Sequence, residues 1–570
     1  MTSKFLIPST LSFAIVVIGL AIAGGVRHYS PVPFWDMWNG TLEFYSRIEN
    51  GDSSAWWAQH NEHRIVLARM LFWLDYRFFS GLSVFLIFVN YALVAVSATI
   101  FWLYLREARR EDAGSQQDAA LGFLIASWLF LWAQENNFTS GFQSQFILAQ
   151  LLPLTALLCF ARSCKREGYR DFVLACTLGL LSAGAMANGI LALPFTFIFS
   201  VLLKQSVFRS MVLFALSLGV IFLYFLDYQA PPYHGHLSDS LTGDPIGFAH
   251  FLLLYLGSPF FFLLGQGSQG RVGATLAGIT LLALSAWFAG KQFRSSSRSP
   301  TAIALLFFIF YVCSSAFATA GGRLKFGLDM AVASRYTTPA VMAFAALLLV
   351  AHEAVADAFH ETKRKVAVAI LIALCALVFK QQLNALAPVD DSLSTKKFAA
   401  LALSLDIRDS GSIETLYPDT DTALAISRIA IQGHYSIFGG FPYLHLKQEM
   451  GKPFGPLPAN RCMGYFDVVE SVDGTVDFLR AYGWIFSAKE GRSPVLVRFV
   501  DNAGTVVGFA LTGTPRPDVS GAIGSRAGLA GFRGYIRSGV AGSELIAAGE
   551  LPDCQLQVRA PVAPSSIKHN

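Results

Sequence analysis

Charge is what this chain lacks. Only 14% of its 570 residues are Asp, Glu, Lys or Arg, where a soluble chain carries about a quarter. That shortage, with 54% hydrophobic residues, 49 phenylalanines and a mean hydropathy of +0.49, excludes an ordinary soluble domain. No RNA- or DNA-binding motif is present and the net charge of +5 is modest, so nucleic acid is not the partner. Cysteine is scarce as well. Five of the seven (Cys159, Cys164, Cys176, Cys313, Cys375) lie in or beside apolar runs, which leaves Cys462 and Cys554 in the polar C-terminal region. An oxidising compartment would allow those two to pair, but spacing alone does not show whether their Cα atoms come within reach. No internal repeat is visible, and neither is the H-E-x-x-H zinc spacing.

What is present is a series of long apolar runs separated by basic clusters. About eleven spans are predicted over 5–26, 82–105, 119–134, 142–161, 171–187, 189–203, 210–227, 271–290, 300–320, 337–356 and 366–384. The first is too long for a signal peptide and reads as an uncleaved span. The pair 171–187 and 189–203 is short, with Asn188-Gly189 as its turn, and reads as a hairpin that does not fully cross. Arg106, Arg109 and Arg110 form one basic loop, and Arg162, Lys165, Arg166 and Arg170 the next. Lys204 with Arg209, then Lys291, Arg294 and Arg298, then Lys363, Arg364 and Lys365 complete the set. Excess positive charge faces the cytoplasm, so the N-terminus is expected inside and everything after about Asn384 outside. The run Phe248 to Gly265, broken at Gly257-Ser258-Pro259, is read as an external interfacial or re-entrant segment.

The domain expectation follows from this. Residues 1–384 form the membrane domain, with a long first external loop at 27–80. Residues 385–460 form a mixed α/β linker region, and 461–570 a β-rich external domain of sandwich or jelly-roll type. "PVLVRFV" and "TVVGFAL" flanking Asp501 to Gly504 give the hairpin signal.

The polar external segments are candidates for the chemistry. The first contains "PFWDMWNG", with Trp35, Asp36 and Trp38, and then "WWAQHNEHR", with His60, Asn61, Glu62, His63 and Arg64. The second, "QENNFTSGFQSQF", offers Glu135, Asn136, Gln143 and Gln145. The third, "DYQAPPYHGHLSD", offers His234. The fourth, "GGRLKFGLDMAVASRYTTP", offers Arg323, Lys325, Arg335 and Tyr336. Acids and histidines concentrate in the first loop and cations in the fourth. Group transfer from a lipid phosphate needs both: a carboxylate to take the acceptor proton and guanidinium or ammonium groups to neutralise the leaving phosphate. Aromatic faces suit sugar C–H surfaces. Each residue also has a bland reading. Asp36 could cap a helix near Met37, the tryptophans could be interfacial anchors, and Asn188 could be a turn residue. His60 and His63 would share a helix face, but no third metal ligand accompanies them.

Trp35-Asp36, Gln59 to Arg64, Gly141 to Phe146, Met186 to Pro194 and Ser334 to Pro339 together resemble uncharacterised bacterial members of the GT-C superfamily of membrane glycosyltransferases. The resemblance covers most of the membrane part. It implies a polyprenyl-phosphate-linked sugar donor, an active site facing the periplasm of an inner membrane, and a first-loop acid as catalytic base. By position that acid is Asp36, with Glu62 as the rival. Arg335, Arg323, Lys325 and Tyr336 would bind the donor phosphate. Trp35, Trp38, His60, Asn61, His63, Arg64, Glu135, Asn136, Gln143, Gln145, Asn188 and His234 would contact sugar or acceptor, whether glycan, lipid or protein. The paired acidic dyads of some metal-dependent members are missing, so no cofactor is expected, with a divalent metal as the minor alternative. The alternative function is a transporter or flippase of lipid-linked saccharides, against which the missing repeat counts.

Overall fold

The computed structural model describes residues 3–108, 115–166, 169–232, 235–295, 297–355, 361–388 and 391–562. It divides into two compact units. The first comprises Met1–Tyr29, Ser54–Leu71 and Val84–Ala387, and the second Ser30–Ser53, Phe72–Ser83 and Pro388–Asn570.

The first unit is helical. Among the described residues eight helices are long and apolar enough to cross a membrane: Phe5–Arg27, Val84–Ala108, Gly141–Lys165, Val207–Phe225, Ser268–Arg294, Pro300–Phe326, Ser334–Ala354 and Val368–Leu386. The chain is a multi-pass membrane protein. Of the eleven expected spans, 119–134 is corrected, since its described helix, Ser115–Leu129, stops short; the pair 171–187 and 189–203, expected not to cross fully, forms the short helices Arg170–Ser182 and Ala192–Leu202. The first ends early because Gln134 folds back and donates Nε2–H to the Leu129 carbonyl at 2.5 Å. The other two form the expected hairpin. At about 1.5 Å per residue each is roughly 20 Å long or less, against about 30 Å of hydrocarbon. Gly189 permits its tight tip, since a Cβ there would lie 1.8 Å from the Ser182 carbonyl oxygen.

The run Phe248 to Gly265 is two helices, Pro245–Leu256 and Ser258–Leu263, broken at Gly257 as expected. Asp244 starts the first by accepting the Gly247 N–H at 2.8 Å, with Pro245 in the first turn. The break packs directly on the helix Ser268–Arg294, where a Cβ on Gly257 would lie 1.8 Å from the Ala274 carbonyl oxygen.

Basic residues gather at one end of this bundle. Arg162 and Arg166 pair with Glu107 at 2.7 and 3.2 Å. Lys165 reaches Thr301, Arg209 reaches the Ser163 carbonyl, and Arg298 reaches the Leu202 carbonyl. Each is a cation at a helix C-terminus or between neighbouring helix ends, where exposed carbonyls attract it. Arg109 and Arg110 lie outside the described residues.

The second unit contains the β-rich part. In place of two packed sheets there is a single seven-stranded antiparallel sheet. Its strands are β1 (Met463–Val472), β2 (Thr475–Phe486), β3 (Leu496–Val500), β4 (Val506–Thr514), β5 (Gly531–Arg537), β6 (Glu544–Glu550) and β7 (Cys554–Arg559), in the order β1-β2-β5-β4-β3-β6-β7. The sheet curls until its two edges meet. Cys462, just before β1, bonds to Cys554 at the start of β7, with Cα atoms 5.5 Å apart. The Cys462 N–H also donates to the Gln555 carbonyl at 2.9 Å. The enclosed core includes Phe466, Phe499 and Phe532. A sandwich buries one face of each of two sheets, whereas this sheet buries its inner face against itself and so needs no second sheet.

Residues 385–460 do not stand apart as a linker. Their helices Ser392–Ser404 and Thr420–Gln432 share a core with Trp38, Leu42 and Tyr45 of the first loop and with Phe509 and Tyr535 on the outer face of the sheet.

Two predictions arise here. The disulfide closes a loop with a sequence separation of 92. Loop-closure entropy assigns such a crosslink about 4.6 kcal/mol. Cys462→Ser with Cys554→Ser is therefore expected to lower the melting temperature of the purified protein, and reductant should do the same to wild type but not to the variant. Asp75 is fully buried, and its carboxylate accepts the Ser83 N–H at 3.1 Å. Burial pushes it up to about 7, partly offset by that N–H. A carboxyl raised on folding favours the folded state when protonated, so its stability is greatest below about pH 4 and falls as pH rises through about 7. Asp75→Asn keeps the acceptor for Ser83. It is expected to raise the melting temperature at about pH 8 and change it little at about pH 4.

Candidate functional site

In the helical unit the polar segments converge. The stretch Gln59 to Arg64 is not helical, which corrects the expectation that His60 and His63 share a helix face. They close a tight turn as an antiparallel bridge, with reciprocal backbone bonds of 2.8 and 2.9 Å. Asn61 takes the left-handed conformation at φ +49°, which asparagine tolerates better than most residues. Glu62 follows at the tip.

The Glu62 carboxylate binds Arg323 at 2.9 Å, at the C-terminus of the helix Pro300–Arg323. This joins the acid-bearing first segment to the cation-bearing fourth. His63 Nε2 lies 3.4 Å from the same carboxylate oxygen. Its Nδ1 accepts the Ala187 N–H at 3.2 Å, at the tip of the short hairpin. An Nδ1 that accepts places the ring proton on Nε2, facing Glu62. The neighbouring Asn188 donates to Ser315 at 3.0 Å. The His60 ring packs 5.2 Å from Phe142, which places it beside Gln143.

Arg64 is committed elsewhere. Its guanidinium donates to the carbonyls of Trp57 at 2.8 Å, Tyr224 at 2.9 Å and Leu226 at 2.5 Å, and stacks over the Trp57 ring at 5.0 Å. It caps the C-terminal end of the helix Val207–Phe225, a structural task that the sequence reading assigned to substrate contact. Gln59 ties the same region to Gln229 of the third segment at 2.6 Å.

The second and fourth segments are stapled together. Asn137 donates to Thr338 at 2.6 Å and to the Arg335 carbonyl at 3.2 Å, and the Asn136 N–H donates to Ser334 at 3.2 Å. Tyr336 is buried, 5.7 Å from Tyr255 and 6.0 Å from Phe146. Arg335 lies over the Tyr336 ring at 5.2 Å. Neither Arg335 nor the exposed Lys325, which sits 5.1 Å over the Phe326 ring, has a carboxylate partner among the described residues. Gln143 and Gln145 are buried, and their carbonyl oxygens have no hydrogen-bond partner among the described residues. Glu135 and Asn136 are exposed at the start of the helix Glu135–Thr139.

Asp36 belongs to the other unit. Trp35 there takes φ +50°, an uncommon conformation for so bulky a residue. It is held by its N–H donating to the Leu416 carbonyl at 2.8 Å, and its ring is 50% exposed. Trp38 is fully buried, 6.3 Å from the Phe438 ring. It is core, with no face left for a sugar. The capping position of the short π-helix Trp38–Glu43 is Met37. His234 lies outside the described residues. Among the described residues no cluster of three His, Cys, Asp or Glu side chains could hold a metal.

Sequence reasoning missed Ser315, which anchors Asn188, and the pairing of Arg271 with Asp329 at 2.5 Å. The signal for Ser315 was the polar pair Ser314-Ser315 inside an otherwise apolar span.

The fold thus defines a multi-pass helical membrane protein with a β-rich second unit. No family model matches the sequence, and no curated protein does. Among solved structures, the apo oligosaccharyltransferase of Archaeoglobus fulgidus is similar with a TM-score of 0.40 and 13% identity, over 79% of this chain and 62% of that one. The chain spans less than two thirds of that protein's length, and a likeness of this degree carries no weight for function.

Proposed function

We propose that the protein is a GT-C-type glycosyltransferase that moves a sugar from a polyprenyl-phosphate-linked donor to a glycan, lipid or protein acceptor. The observation that carries the reading is the Glu62–Arg323 pair, braced by His63 against the hairpin tip. An acid and a cation in contact can be separated by an anion. A donor phosphate arriving at Arg323, with Arg335 and Lys325 as further cations, competes with Glu62 for the guanidinium. The released carboxylate then takes the acceptor hydroxyl proton. The acceptor oxygen bonds to the sugar C1, and the C1–O bond to phosphate breaks with its electron pair on the phosphate. Asp36 is the alternative base.

The basic end of the bundle would face the cytoplasm and the Glu62 end the periplasm of an inner membrane. The short hairpin supports this use, because the Ala187 N–H at its tip holds the His63 ring beside Glu62. The test is transfer from a synthetic polyprenyl-phosphate sugar by the purified protein in detergent. Movement of lipid-linked saccharide across liposomes without cleavage of the donor would overturn the reading in favour of transport.

A further inference from the structure

The outer face of the curled sheet carries a strip of aromatic side chains, Tyr465, Tyr482 and Trp484, that the transfer chemistry does not use. Strand register places Tyr465 of β1 opposite Trp484 of β2, and Trp484 opposite Gly531 of β5. One step along, Val468 faces Tyr482, and Tyr482 faces Arg533. Directly paired residues and those two apart on one strand share a face. The alternate residues Phe466, Ala481 and Phe532 point into the core. Tyr465 is 64% exposed, and Tyr482 and Trp484 are half-buried.

Both sides of this strip are walled. On one side Arg480 and Tyr535 bind Asp409, and Phe398 stacks on Tyr535 at 4.8 Å, so the helix Ser392–Ser404 covers the next row. On the other side Val519, of the helix Pro517–Ile523, packs with Phe486. Arg516 runs close over Gly531, where a Cβ would lie 3.0 Å from its Cγ, and reaches Asp467 at the β1 bulge at 2.5 Å. It therefore crosses the sheet beside Trp484. It also pairs with Asp518 at 2.7 Å. Arg533 on the opposite wall pairs with Asp391 at 2.7 Å.

We propose that this aromatic strip is a saccharide-binding site for an uncharged glycan chain. The exposed Tyr465 ring, with the half-buried rings of Tyr482 and Trp484 beside it, offers flat apolar faces to sugar C–H groups. Arg516 is held in place by Asp467 and Asp518, which remain 34% and 63% exposed and so retain oxygens for hydroxyl groups. The charge arrangement favours a neutral ligand, because the guanidiniums of Arg480, Arg516 and Arg533 along this strip each already have a carboxylate.

The experiment is isothermal titration calorimetry on the full chain in detergent. The probes are linear malto-, cello- and chito-oligosaccharides of about two to six units, the shortest of which already bridges two rows about 7 Å apart. At least one series is expected to bind, and Tyr465→Ala and Trp484→Ala are each expected to weaken it about tenfold or more. Tyr465 carries no core contact, so Tyr465→Ala remains informative if Trp484→Ala fails to fold. Tyr465→Ala should leave hydrolysis of the polyprenyl-phosphate donor unchanged. No heat with any series, unchanged affinity in a folded Tyr465→Ala variant, or preference for an anionic glycan or a peptide would each overturn the proposal. Saccharide binding without donor turnover would leave it standing and count only against the transferase reading.

Discussion

Glu62→Gln is expected to reduce sugar transfer by about 10²–10⁴-fold, the range that a positioned general base supplies. The substitution keeps the size of the side chain and a carbonyl oxygen for Arg323 but removes the proton acceptor. Asp36→Asn is the matched experiment. If the base is Glu62, Asp36→Asn retains transfer to within a few-fold. If Asp36→Asn abolishes transfer and Glu62→Gln does not, the assignment reverses. Arg323 provides the second reading of the same pair. Arg323→Gln should raise the KM for donor and lower kcat, because the phosphate loses a counter-charge in both ground and transition states. Arg323→Lys should recover part of it. His63→Gln is informative for another reason. The Nε2 proton set by the Ala187 N–H orients Glu62, so this variant should shift the pH dependence of kcat rather than abolish binding. Wild-type rates in both carboxylate variants would remove acid–base chemistry from the first loop altogether.

Asp409→Asn is expected to produce the largest loss of stability. The Asp409 side chain is fully buried. It accepts from Arg480 at 2.5 and 2.8 Å, from the Tyr535 hydroxyl at 2.6 Å and from Ser412 at 2.8 Å. Burial alone would raise its pKa. The hydrogen bonds from Arg480, Tyr535 and Ser412 outweigh it and hold the carboxyl below the usual range. Breaking a buried pair from one side leaves the other charge uncompensated, at about 3–5 kcal/mol. Several degrees of melting temperature should be lost in a unit of this size. The pH dependence carries a sign. A carboxyl lowered on folding stabilises fully above its unfolded value near 4, and that contribution disappears as pH falls below it. Wild type should therefore lose melting temperature on acidification below about pH 4, and Asp409→Asn should lose less. Equal melting of the two proteins at about pH 7 would show that the pair contributes nothing net.

The helical unit was largely legible in the sequence, because membrane spans announce themselves through length and hydropathy without reference to partners. Each predicted span has a helix; the pair 171–187 and 189–203 falls short as expected, and 119–134 falls short where a local signal was missed. The Gln134 fold-back that ends one helix depends on a side-chain bond that no hydropathy window records. The sheet was legible strand by strand through alternation. Its closure was not, because edges meet through residues far apart in the chain, Cys462 and Cys554 above all. The site was legible as a set of residues but not as a set of tasks. Arg64 reads like a ligand-binding arginine until three backbone carbonyls claim it, and Trp38 reads like a platform until Phe438 covers its surroundings.

By itself the sequence determined that this protein lives in a membrane, where its basic loops fall and which loops carry carboxylates and cations. These are properties of composition and order along the chain. Tertiary structure alone decided that the single long first loop serves two units, with Asp36 in one and Glu62 in the other, and that Glu62 meets Arg323 across most of the helical unit's sequence. Contacts between distant residues depend on how helices pack and where their ends come to lie, and no local pattern encodes that.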